Sequence, residues 1–395
     1  MVLTTSGDSS LSLTYSTPLE LNTFPAGLDH EIRVSEEYEE KVWVETAQWD
    51  QESGQYLVEG EERFHPTWDG SSHTMTVLLD QLDFAWSLYT VRVRLISATA
   101  DKTDPSLWSR PVTVSQRTAA RAPDLPPPTC RGSFQAVDNL SSRTVFVYWE
   151  QVERKFHNGP GFHYIVTLLS DSDTEPPVTV NSTHSFAKFE GLPLETQLTF
   201  SVRSVNTAGS SSNTSLVSVP PQSTVTGAAP QSVTTIYSSQ QESYRVSWYP
   251  PGSPSRPVSY TVFWCRTNSS LPHSCSGRLQ WTQADSLTSV TGLDTSLATL
   301  VYSLNLDPDK EYRLAVAADT ELGSSGLVWS SCVVINNRMT STVRNLAEEA
   351  RGETWVSVRW SLPCSERGGA VLGYNVTWCR ARAECTSRET APAST

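Results

Sequence analysis

A chain of 395 residues has room for three to four domains of about 100 residues each. Thirteen Trp, 13 Tyr and 24 Pro beside three Met suit a β-rich, turn-rich protein, and no stretch sustains a helical apolar period. Net charge is −13, and residues 1–117 alone carry −11 (19 acidic against 8 basic), which disfavours nucleic acid because phosphate contacts need basic surface. No run of about 20 apolar residues is present to span a membrane, and Met1-Val-Leu-Thr-Thr-Ser6 lacks the basic and apolar regions of a signal peptide.

Short alternating strands recur along the chain, beginning with Leu11–Tyr15. The acidic runs Glu36, Glu37, Glu39, Glu40 and Glu59, Glu61, Glu62 follow. They read either as solvated edges or as a face that steers a basic protein ligand. Tyr89 precedes Thr-Val-Arg-Val-Arg94. The proline-rich stretch Thr118–Pro128 predicts a stiff spacer. Val145–Trp149 and Tyr164–Leu168 are the next strands, and Leu198 stands where a corner tyrosine is expected, so that corner should be looser. A second linker, 220–230, precedes the strand Tyr244–Trp248. Leu306-Asp-Pro-Asp-Lys-Glu-Tyr312 reads as a tyrosine corner, whose hydroxyl bonds back to nearby backbone. A third linker, 336–341, precedes Trp355–Trp360. This last segment begins a repeat without finishing it, so the sequence reads as a fragment. Short strands separated by Gly, Pro, Asn and Ser predict antiparallel sandwiches.

Tyr260-Thr-Val-Phe-Trp-Cys265 and Tyr374-Asn-Val-Thr-Trp-Cys379 are one strand written twice, 114 residues apart. Core-facing Tyr, Val and Trp leave each cysteine on the other face, taken here as the outer one. A Cys265–Cys275 bridge would close a ten-residue span, and Cys379–Cys385 a six-residue span. Zinc binding through His273 and Cys275 fits no usual ligand spacing. Of the seven cysteines, Cys130, Cys332 and Cys364 remain; a Cys332–Cys364 bridge would leave Cys130 as the odd thiol. Sequons at Asn139, Asn181, Asn213, Asn268 and Asn375, beside paired cysteines, favour the secretory pathway. No His-Glu-x-x-His or Gly-x-Ser-x-Gly motif occurs, so no catalytic residue, metal site or cofactor is expected.

These strands, linkers and corners resemble fibronectin type III domains. The Trp-Cys strands and Pro105-Ser-Leu-Trp108-Ser109 beside Arg92 and Arg94 resemble more specifically the leg of class I cytokine receptors. Among these the likeness is to the shared signal-transducing receptors of the interleukin-six type and their arthropod Domeless-type counterparts. The resemblance implies an all-β, elongated string of tandem fibronectin type III (immunoglobulin-like) β-sandwiches. Residues 1–117 would be the lower half of a cytokine-binding module, 118–222 and 223–336 two further domains, and 337–395 a partial one. It implies a structural ladder of Trp108 with Arg92 and Arg94, although Pro105 stands where the family has a first Trp. Ligand contacts would come from loops 18–29 (Phe24, Leu28) and 97–104 (Lys102), unless Phe24 and Leu28 fold back on their own domain. The implied protein is a non-enzymatic receptor at the extracellular face of the plasma membrane, with its membrane segment outside this sequence. It would bind a helical protein cytokine, pair with a second receptor chain as homo- or heterodimer, and signal through JAK/STAT-type kinases. An adhesion or receptor-phosphatase-type ectodomain, or a soluble decoy receptor, is the alternative.

Overall fold

The computed structural model describes residues 1–17, 26–39, 41–58, 63–169, 177–225, 227–238, 242–251, 257–266, 275, 278–284, 288–291, 298–307, 312–330, 333–336, 342–362, 374 and 376. The first 117 residues supply β1 (Val2–Thr5), β2 (Leu11–Ser16), β3 (Leu28–Glu36), β4 (Val42–Asp50), β5 (Gln55–Val58), β6 (Phe64–Asp69), β7 (Thr74–Leu79), β8 (Leu88–Ser97) and β9 (Val112–Arg117). They form two sheets, ordered β1-β2-β7-β6 and β5-β4-β3-β8-β9. Alternation decides which side chains meet between them: Leu11, Leu13 and Tyr15 of β2 and Met75, Val77 and Leu79 of β7 share one core with Ile32, Val34, Tyr89, Val91 and Val93. Each large apolar side chain fully buried there contributes about 1.5–3 kcal/mol. Tyr89 Oη accepts from the Phe84 N–H at 3.0 Å, which pins the turn before β8. This is the arrangement of an immunoglobulin-like sandwich.

The next stretch supplies β10 (Phe134–Asp138), β11 (Arg143–Tyr148), β12 (His163–Leu169), β13 (Thr179–Ser182), β14 (Phe186–Leu192), β15 (Leu198–Asn206), β16 (Gly209–Ser210) and β17 (Ser215–Val219). One sheet is ordered β10-β11-β14; the other is β13-β12-β15-β16, with β17 also on β15. A single helical turn, α1 (Gln222–Val225), follows. Then come β18 (Gln231–Ser238), β19 (Ser243–Tyr249), β20 (Ser259–Arg266), β21 (Gln280–Gln283), β22 (Thr288–Thr291), β23 (Ala298–Leu304), β24 (Tyr312–Thr320), β25 (Gly323–Ser324), β26 (Val328–Trp329) and β27 (Val333–Asn336). They make the sheets β22-β23-β19-β18-β27 and β21-β20-β24-β25, with β26 on β24. The β18–β27 pair is parallel. The hairpin β28 (Arg344–Arg351) and β29 (Val356–Ser361) forms a two-stranded sheet. The all-β class expected from the alternation is what the structure has.

The chain divides into two compact units. The first is Met1–Pro128 with Gln151–His184 and Ser201–Leu216; the second is Thr129–Glu150 with Ser185–Phe200 and Val217–Thr395. The second unit corrects one expectation. Tyr260, Val262 and Trp264 of β20 do point into one core, with Trp248, Leu314 and Val316. The opposite face is not solvent-facing: Cys265 has no exposed surface and lies in a second core with Phe263, Ala315, Ala317, Leu279, Phe146 and Tyr148. Strands β20 and β24 are therefore covered on both sides, and the second cover comes from β11. The physical reason is Phe263, a large apolar side chain on the same face as the cysteine.

Candidate ligand-binding and framework site

The ladder residues lie on the outer face of the five-stranded sheet in the first unit. On β8, Arg94 sits opposite Glu31 of β3 in register, and both Glu31 carboxylate oxygens accept from it, at 2.8 Å from Nε and 2.6 Å from Nη2. The Arg94 guanidinium stands 4.3 Å from the centre of the Trp108 ring. Trp108 is placed by a short 3-10 turn, Pro105–Leu107, which Asp104 caps by accepting from the Ser106 N–H. The indole N–H donates to the Lys102 carbonyl at 3.1 Å. Ser109 then ties the segment to β8: its N–H donates to the Leu95 carbonyl at 2.8 Å, and its hydroxyl accepts from the Leu95 N–H at 2.9 Å. Arg92 is exposed on the same face, opposite Arg33 and Thr113. Arg94 and Trp108 are thus brought together, whereas the ring stacks over Arg94 and not Arg92.

The candidate contact residues are placed differently from one another. Phe24 lies outside the described residues. Leu28 begins β3 and is 5% exposed, so it belongs to the packing and offers no surface to a ligand, which corrects its expected role. Lys102 is exposed, and its Nζ pairs at 2.7 Å with Asp29, a side chain only 3% exposed. Beneath this corner His30 is fully buried, with Nδ1 2.6 Å from Tyr15 Oη and its ring 4.7 Å from that of Tyr56. Burial lowers its pKa to about 4, against a weaker raising effect of Asp29.

Two features of the first unit were not foreseen. The proline-rich stretch is clamped by side chains from elsewhere in the unit. Asn158 Nδ2 donates to Asp124 at 2.9 Å, Asn206 Nδ2 donates to the Arg121 carbonyl at 2.7 Å, and Arg121 Nη2 donates to Asp124 at 2.8 Å. Beside it, Tyr38, Trp86, Arg117, Arg154, His157 and Phe162 line a cleft of about 470 Å³. Trp86 is 37% exposed there with a left-handed backbone, φ 55°, a conformation that a bulky residue holds only when its surroundings dictate it. Asn158 holds a left-handed φ of 56°, and the residues its side chain bonds come from 34 and more positions away.

In the second unit Cys265 and Cys275 form a disulfide. Cys130 is a free, partly buried thiol packed against the same apolar cluster, and burial followed by the nearby Asp319 and Glu150 charges pushes its pKa up to about 12. Cys332, Cys364, Cys379 and Cys385 lie outside the described residues, as do Asn268 and Asn375. Asn139, Asn181 and Asn213 are exposed, as glycan acceptors must be. Among the described residues no helix is long and apolar enough to cross a membrane, and no group of acidic, His or Cys side chains is arranged to hold a metal.

No protein-family model matches the chain. It is 28% identical over 326 residues to a Drosophila melanogaster protein named Cytokine receptor, a match covering 80% of this chain and 23% of that protein. The chain therefore spans under a quarter of the length of the curated relative it matches. Among solved structures it is similar to the FN1–FN3 domains of chicken CNTN1, at 17% identity and a TM-score of 0.36, over 83% of this chain and 94% of that one.

Proposed function

We propose that the chain is the extracellular part of a transmembrane cytokine receptor of the shared interleukin-six or arthropod Domeless type. The carrying observation is the brace at the end of β8: Arg94 held by Glu31, stacked on Trp108, with Ser109 paired to Leu95. A brace of this kind fixes the loop 97–104 relative to the sheet without itself touching a ligand. Similarity to the Drosophila protein named Cytokine receptor supports the reading. So do the disulfide and the three exposed sequons, which fit an oxidising, secretory environment.

On this reading residues 1–117 are the lower half of a cytokine-binding module, with fibronectin type III domains at 118–222 and 223–336 and part of a fourth at 337–395. A helical cytokine contacts the first unit around Lys102 and Phe24, and a second receptor chain completes the complex. The double-sided core of the second unit stiffens the leg, so that ligand binding is transmitted as a fixed spacing to JAK/STAT-type kinases inside the cell. The chain's own role is binding and geometry, with no cofactor.

The test is binding of helical cytokines to the complete ectodomain that contains this chain. Binding weakened by salt is expected, because the acidic first 117 residues steer a basic ligand. Homophilic adhesion, with no helical cytokine bound, would overturn the reading in favour of an adhesion ectodomain.

A further inference from the structure

The outer face of the sheet β5-β4-β3-β8-β9 holds two adjacent cross-strand rungs of opposite character. In one, Glu31 faces Arg94, and the pair is closed by two hydrogen bonds and the Trp108 ring. In the next, Arg33 faces Arg92. Both arginines are exposed, and among the described residues neither makes an ion pair or a ring contact. Like charges directly opposite one another destabilise a sheet. The pair also stands out against its setting, because residues 1–117 contain only 8 basic side chains against 19 acidic ones.

The same face continues onto β4 with apolar side chains in water. Val44 pairs with Arg33 in register and is 43% exposed; Val42, two residues along, is 47% exposed. Leu57 on the edge strand β5, opposite Gln48, is 52% exposed on that face. The rung on the other side of the arginine pair is neutral and internally satisfied, Thr90 and Ser115 bonding at 2.8 Å. The face therefore offers two guanidiniums side by side, with no ion pair among the described residues, bordered by apolar surface.

We propose that this face is a docking surface for a protein that presents paired carboxylates flanked by apolar side chains, which Arg33 and Arg92 grip. The chemistry fits that occupant better than a sulfated polysaccharide. Two guanidiniums match two carboxylates in bidentate geometry, and the valines gain from apolar contact that a sugar sulfate does not supply. A long polyanion would also meet the net −11 of the surrounding residues, whereas a short acidic segment need not. The proposal stands independently of the receptor reading.

The experiment presents the full chain with three biosensor surfaces: a peptide with two adjacent glutamates flanked by leucines, its glutamine counterpart, and heparin. The glutamate peptide should bind about tenfold or more tightly than the glutamine one, and the R33Q/R92Q variant should abolish that preference. The same variant should keep or raise the thermal midpoint, because a repulsion has been removed. Val44→Ser, which leaves both charges in place, should weaken the glutamate peptide about threefold. Equal binding of the two peptides, a preference for heparin lost in R33Q/R92Q, or a lowered thermal midpoint in that variant would each overturn the proposal.

Discussion

The guanidinium of Arg94 is shared between a ring and a carboxylate: Trp108 lies 4.3 Å from it on one side, and Glu31 accepts two of its N–H groups on the other. The Trp108 segment is mostly exposed, so this stack, the Ser109–Leu95 pairing and the indole bond to the Lys102 carbonyl hold it to the sheet. Trp108→Ala should destabilise the first unit by about 1 kcal/mol, and Arg94→Ala by about 1–2 kcal/mol because Glu31 loses a charge-assisted partner. A double-mutant cycle by urea unfolding should give a coupling of about 0.5–1 kcal/mol. Additive losses would mean that the stack contributes nothing.

Much of this was legible in the sequence. Arg92 and Arg94, two apart on a strand, had to share a face, whereas Trp108 beside them was only what the resemblance carried by Pro105–Ser109 implied; which arginine the ring covers was set by the turn at Pro105–Leu107, whose geometry the residues alone do not fix. Strand parity at Tyr260–Cys265 was also legible, but parity says only that two faces differ. Whether the second is wet depends on β11, more than 100 residues earlier, and Phe263 was the available hint. His30 gave no signal, since a lone histidine on a strand reads as surface until Tyr15 and Tyr56 are seen around it. The clamp by Asn158 and Asn206 was hidden for the same reason: its partners are distant in sequence.

The buried His30 makes the first unit acid-sensitive. Its folded pKa of about 4 lies below the ordinary 6.5, so the unfolded chain takes up a proton that the folded one refuses. The stabilisation is fully present above about pH 6.5 and is lost as pH falls toward 4, amounting to ~3 kcal/mol over that window. Burial depresses His157 in the same direction. Urea midpoints should fall between pH 7.5 and 4.5 and fall less in His30→Gln. An unchanged slope in that variant would place the sensitivity elsewhere.

Cys130 should be a poor nucleophile despite being a free thiol. With its pKa pushed up to about 12, little thiolate exists at pH 8, and the side chain is packed against the Cys265–Cys275 core. Alkylation of Cys130, followed by peptide mass spectrometry, should be at least about tenfold slower than for a small-molecule thiol and should accelerate in denaturant. Rapid labelling of the folded chain would show that the site opens.

Gly326 sets how closely the turn before β26 can approach the strand β10. Its φ is +74°, and a Cβ there would lie 2.6 Å from the Phe134 carbonyl oxygen and 2.7 Å from the Phe134 ring. That carbonyl also accepts from the Leu327 N–H at 2.6 Å, so the backbone cannot retreat without losing a bond. Gly191 in the same unit has a similar φ, +70°, but open space around it. Gly191→Ala should therefore cost only the left-handed conformation, ~1 kcal/mol, whereas Gly326→Ala adds a backbone clash and should cost about 2–4 kcal/mol. Chemical denaturation measures both, and hydrogen exchange at the Leu327 amide localises the second, where protection should drop in Gly326→Ala alone. Equal costs for the two substitutions would mean that the contact between Phe134 and the turn yields easily and does not stiffen the second unit.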